Sequence, residues 1–108
     1  MIKLPNNFSQ ETRTLFSDLW ECFFCGSNRA DALHHIVGRG NKEDDCESSA
    51  LNACPICNHK CHLPNHGLLK TNDWMSKLLN RTYALLKQSG YTFTEKDANF
   101  LEKYACLY

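Results

Sequence analysis

With 108 residues, 12 Lys and Arg against 12 Asp and Glu, and a formal net charge of zero, the chain is sized for one domain, residues 1–108. The balance argues against strong non-specific nucleic-acid binding, which draws on a basic excess, yet Arg29, Arg39, Lys42 and Lys60 around the histidines leave room for a local basic surface. With no run of about 18 apolar residues and no signal-peptide pattern, the expectation is a soluble cytoplasmic protein with no membrane span.

In chain order, residues 9–21 read as a short helix. Ser9 is placed to cap it, Glu11 and Thr12 fall in the first turn, and Leu15, Phe16, Leu19 and Trp20 recur at 3, 4 spacing. Cys22-Phe-Phe-Cys25 follows as a knuckle turn closing at Gly26. Residues 31–37, DALHHIV, suit a strand that Gly38 and Gly40 break, and the acidic stretch 41–49 has no periodicity and suits an exposed loop. Residues 50–54 suit a second strand. Pro55 then fits the first position of a helix carrying Cys57, Asn58, Cys61 and His62, which Pro64 ends or kinks.

Two more helices are expected, over 72–89 with a stop at Gly90, and over 95–106. Thr94 and Asp97 there stand at capping-box spacing. Their apolar stripes (Trp74, Leu78, Tyr83, Leu85, Leu86; Phe100, Leu101, Tyr104) read as packing faces. The whole divides into an N-terminal helix (1–21), a metal-bearing core (22–66) and a helical extension (67–108).

The cysteines suit metal better than disulfides: seven is an odd number, and they stand at CxxC and Cys-His spacing. At this size a metal cross-link is a common reinforcement of a marginal core. Cys22 and Cys25 are the clearest ligands of a structural zinc, since two thiolates on a tight turn reach one ion and tetrahedral zinc needs two more. The second pair is either Cys54 with Cys57, at knuckle spacing, or Cys57 with Cys61, one helical turn apart. The latter is preferred because it sets His62 directly after a zinc ligand. Cys46 is an outside candidate, and Cys106 is expected to be a small core residue.

Between the cysteines stand His34 and His35, then Asn52, then His62. The order CxxC, His-His, Asn, Cys-His over Cys22 to His62, about 40 of the 108 residues, resembles the HNH endonucleases, whose ββα-metal motif has a CxxC-flanked variant. The terminal helices carry no such resemblance. The resemblance implies a small α+β fold with a zinc-clipped ββα-metal core, flanked by an N-terminal helix and two C-terminal helices. It also implies metal-dependent hydrolysis of DNA, of the kind carried by bacteriophages and their hosts. Carried over residue by residue, His34 matches the metal ligand of the pair, His35 the general base, Asn52 the residue that ties the loop and orients the base, and His62 the final metal ligand. His66 matches a second helix histidine that contacts the metal in colicin-type nucleases.

The catalytic ion implied is a divalent cation such as Mg2+, Mn2+ or Ni2+. The rival register uses Cys54, Cys57 and Asn58. Arg39 could hold a phosphate in a two-point grip, while His59 reads as solvent-facing or a phosphate contact. An imidazole with a pKa near 6.5 suits a general base, and a divalent cation suits charge building on phosphoryl oxygens. Neighbouring strand residues point to opposite faces, so a regular strand would not place both rings at one ion; Gly38 and Gly40 suit a bend near the strand end, and irregular backbone is expected there. The competing reading is a non-catalytic zinc module binding nucleic acid or protein.

Overall fold

Residues 10–16, 21–26, 29–37 and 49–108, the side chain of Asn58 excepted, are described by the computed structural model. Ser9, Leu19, Trp20, Gly38, Arg39, Gly40 and Cys46, with the acidic loop 41–48, lie outside the described residues.

Helix α1 spans Gln10–Leu15 and turns Thr12 and Phe16 inward. Glu21 is not helical, contrary to the expected span, because it bridges Arg29 antiparallel and closes the base of the cysteine knuckle. Strand β1 (Ala32–His35) pairs antiparallel with β2 (Ala53–Ile56) in the register Ala32–Ile56, Leu33–Pro55, His34–Cys54 and His35–Ala53. The second strand therefore begins three residues later than predicted, after a short turn over Ala50–Asn52 that Ser49 caps through its side chain.

Pro55 is the main local surprise. It lies inside β2 rather than opening a helix. Its carbonyl accepts a hydrogen bond from Phe23 N at 2.9 Å, so its polar backbone faces the knuckle. A proline whose missing N–H faces outward costs the ladder nothing. The turn that carries Cys61 and His62 begins instead at Asn58 and ends at His62, with His62 N donating a hydrogen bond back to Cys57 O at 3.1 Å. Helix α2 (His66–Leu69) then restarts the chain beyond Pro64.

Helix α3 (Asn72–Gln88) is capped by Thr71, whose side chain accepts from Trp74 N. It is terminated at Gly90, whose φ of 79° is left-handed and suits a residue without Cβ. Its buried stripe, Leu78, Leu79, Thr82 and Leu86, packs on the turn and on β2. Each fully buried leucine contributes about 2 kcal/mol, and Thr82 Oγ1 donates to Ala53 O at 3.0 Å. Helix α4 (Glu95–Lys103) carries the predicted capping box between Thr94 and Asp97.

Asp97 does more than cap. It is buried, and its carboxylate accepts from Ser49 Oγ, Tyr91 Oη and Thr94 N. This ties α4 to the turn that delivers Asn52. The predicted helix over 95–106 stops at Lys103, followed by a separate turn over Ala105–Leu107. Cys106 lies in that turn, none of whose residues is buried, and is exposed rather than a core residue. The result is a small, compact α+β body with one two-stranded sheet and several helices; its radius of gyration is 12.9 Å.

Candidate metal centre and histidine site

The knuckle turns back on itself through Gly26 N donating to Cys22 O at 2.8 Å, with Gly26 at φ 71°. Two further amides, Phe24 N and Cys25 N, donate to Cys22 Sγ at 3.3 and 3.5 Å. Amide donors aimed at a sulfur favour its anionic form and fix its lone pairs, as the outer shell of a metal thiolate does. Helix α3 braces the knuckle from behind. Arg81 donates to Phe23 O at 3.2 Å and lies over the Phe23 ring, and Trp74 packs tilted against Phe24 with ring centres 4.6 Å apart.

Opposite the knuckle, the turn after β2 presents Cys57 and Cys61. The four sulfurs of Cys22, Cys25, Cys57 and Cys61 lie within 4.8 Å of one another and could hold a metal ion. Sulfurs bound about 2.3 Å from a tetrahedral zinc stand about 3.8 Å apart, and Cys25 Sγ and Cys57 Sγ are separated by 3.9 Å. Cys57 Sγ donates to Cys61 Sγ at the shorter distance of 2.9 Å. Burial pushes the thiols of Cys57 and Cys61 up. Burial thus favours the protonated thiols, and a bound dication would reverse that balance.

Cys54 stands apart from the quartet. Its thiol is buried in β2 directly across the ladder from His34, donates to Pro55 O at 3.7 Å, and is pushed well up by burial. Among the described residues, the quartet is the group of three or more potential ligands drawn this close.

A second cluster forms on the far side of the same turn. His62, one residue after Cys61, brings its ring within 4.3 Å of the His34 ring, centre to centre, and His66 at the start of α2 lies 5.6 Å beyond His62. Pro64 breaks the helix as expected, yet the restart at His66 keeps that ring beside His62. His34 is buried, and its Nε2 has no hydrogen-bond partner among the described residues. Burial first, then the nearby Lys70 charge, lowers its pKa to about 3, and burial likewise lowers His62, with His66 and Lys70 adding to the shift. Neutral imidazoles are the metal-binding form.

Asn52 is completely buried and works as a two-way strap. Its side chain accepts from Val37 N at 2.8 Å and donates to Val37 O at 3.0 Å, while its own carbonyl accepts from Ile36 N at 3.0 Å. It thus fixes the chain leaving β1 directly after the histidine pair.

The ladder stays regular through both histidines and the chain bends directly after them, at Ile36 and Val37, while Gly38 and Gly40 lie outside the described residues. Consecutive strand residues alternate in direction. His34 faces His62, and the His35 ring leaves from the other side at the strand's last position. The Nε2 of His35 is buried as well. His59 is exposed, and Arg39 lies outside the described residues.

Lys70 is a component that no motif marks. It follows α2, and its Nζ donates to His35 O at 2.8 Å and Ile36 O at 3.0 Å, with burial lowering its pKa. Lys70 stands eight residues beyond His62 in chain and reaches the strand only through the turn at 58–65, so nothing local foretells it.

No protein-family model, no curated protein and no solved structure matches the chain.

Proposed function

We propose that the chain is a metal-dependent DNA endonuclease of the HNH type, with a structural zinc on Cys22, Cys25, Cys57 and Cys61. The observation that carries this reading is the division of ligands. The sulfur quartet needs no histidine, while the His34 and His62 rings lie 4.3 Å apart, tilted at 48°, and His34 Nε2 is buried without a partner among the described residues. A buried polar atom without a partner costs about 1–3 kcal/mol, which a metal ligand role would explain. His34 and His62, with His66 behind them, would hold a divalent cation such as Mg2+, Mn2+ or Ni2+. When bound, that ion neutralises charge building on the phosphoryl and leaving oxygens.

His35 removes a proton from the attacking water. The water oxygen bonds to phosphorus, the bond from phosphorus to O3′ breaks, and O3′ takes a proton from a solvent water, giving a 5′-phosphate and a 3′-hydroxyl. Because His35 leaves the ladder on the side opposite His34, this role requires its ring to swing round the strand end. Asn52 holds that end in place, and Arg39 grips the phosphate.

The second reading is a zinc module without catalysis that binds nucleic acid or protein. The cysteine quartet supports it equally, but it leaves the paired histidines without a task. Nicking of supercoiled plasmid by zinc-loaded protein separates the two. Conversion to open circle is expected only with an added divalent ion and is expected to vanish in His62→Ala. An intact plasmid with Mg2+, Mn2+ and Ni2+ each in turn would overturn the nuclease reading.

A further inference from the structure

Lys70 brings a positive charge to a place where no carboxylate among the described residues pairs with it. Among the described residues the ion pairs are Lys77 with Asp73 and Arg81 with Glu21, and neither touches it. Its side chain is half-buried, with the ammonium anchored on the carbonyls of His35 and Ile36. An ammonium has three N–H donors, and these two bonds leave one over. Drawing a charge out of water is costly unless an opposite charge compensates.

The neighbours sharpen the point. Lys70 acts electrostatically on both His34 and His62. If those rings hold a dication, an ammonium beside them is repelled by it. The two positive charges become mutually supportive only with an anion between them. A phosphodiester supplies that with two non-bridging oxygens, one for each charge.

We propose that Lys70 is a phosphate-holding residue, binding one non-bridging oxygen of the nucleic-acid backbone beside His34 and His62. The inference rests on the nuclease reading for its use, but its readout does not. Its other two N–H groups carry the end of β1, so one residue positions both the His35 main chain and the phosphate.

Binding of a short fluorescein-labelled DNA duplex, followed by anisotropy against KCl without added divalent metal, tests this. A phosphate contact contributes about 0.9 to the slope of log affinity against log salt. Lys70→Gln is expected to bind more weakly with the slope reduced by about one, and Lys70→Arg is expected to restore it. A merely structural lysine would leave the slope unchanged while lowering the melting temperature. An unchanged slope in Lys70→Gln would overturn the proposal.

For a glutamine variant that does not fold, the wild-type protein decides. Dimethyl phosphate should shift the ring proton signals of His34 and His62 saturably, and no shift would overturn the proposal. Duplex binding through Lys70 without any nicking supports this inference and removes the nuclease reading. Nicking with an unaltered slope in Lys70→Gln does the reverse.

Discussion

Cys25→Ser is expected to leave the protein with far less than one zinc per chain and to lower its melting temperature by well over ten degrees. Structural zinc binding in small domains is itself folding free energy, on the order of 10 kcal/mol at neutral pH. A loss of even about 3 kcal/mol in a domain this size moves the melting point by roughly 12–24 °C. Cys25 lies at the surface, so its removal leaves no packed cavity. The effect then reports the metal and little else.

The same experiment distinguishes the two cysteine registers. Cys61→Ala is expected to release zinc, whereas Cys54→Ala should keep it and show only the modest cost of trimming a buried thiol in β2. Cys106→Ser, at an exposed position, serves as the silent control. Zinc content by mass spectrometry of the native protein, read beside thermal melting, checks all four. Full zinc in Cys25→Ser, or zinc lost from Cys54→Ala and kept in Cys61→Ala, would contradict the quartet.

His35→Ala is expected to lower plasmid nicking by at least about a hundredfold while leaving the affinity for the added divalent ion nearly intact. General-base catalysis typically contributes on the order of 10²–10⁴-fold, so a smaller loss would not fit a proton acceptor. His34→Ala and His62→Ala should lose nicking and weaken the ion as well, since their rings lie 4.3 Å apart and share the site. Titration calorimetry with Mn2+ separates the two behaviours. Equal loss of metal affinity in all three variants would assign His35 to the ion rather than to the water. Undiminished nicking in His35→Ala would show that its ring stays on its own side of the ladder.

What the sequence showed was local chemistry. The capping box at Thr94 and Asp97 is a four-residue pattern whose geometry follows from one turn of helix, and it forms as expected. The stop at Gly90 and the knuckle at Gly26 depend on single backbone conformations, and both glycines adopt positive φ. The cysteine spacing was likewise enough to anticipate a cluster of thiols able to hold one ion.

Pro55 was illegible for a physical reason. The first position of a helix and an outward-facing strand position both tolerate a missing N–H. Only the partner on each side, Leu33 across the ladder and Phe23 at the knuckle, decides between them. Lys70 and Asp97 escaped as site-supporting residues because their partners lie 34 to 48 positions away, at His35, Ile36 and Ser49. A chain pattern records what a residue's own segment needs. It does not record which distant backbone its side chain will hold.

The central claim is that sulfur alone holds the structural zinc and so leaves the histidines to a second ion. Zinc-edge X-ray absorption of the purified protein tests it most directly. Four sulfur neighbours at about 2.3 Å with no nitrogen in the shell is the predicted result. A shell of three sulfurs with one nitrogen near 2.0 Å, lost in His62→Ala, would place His62 on the zinc and contradict the account.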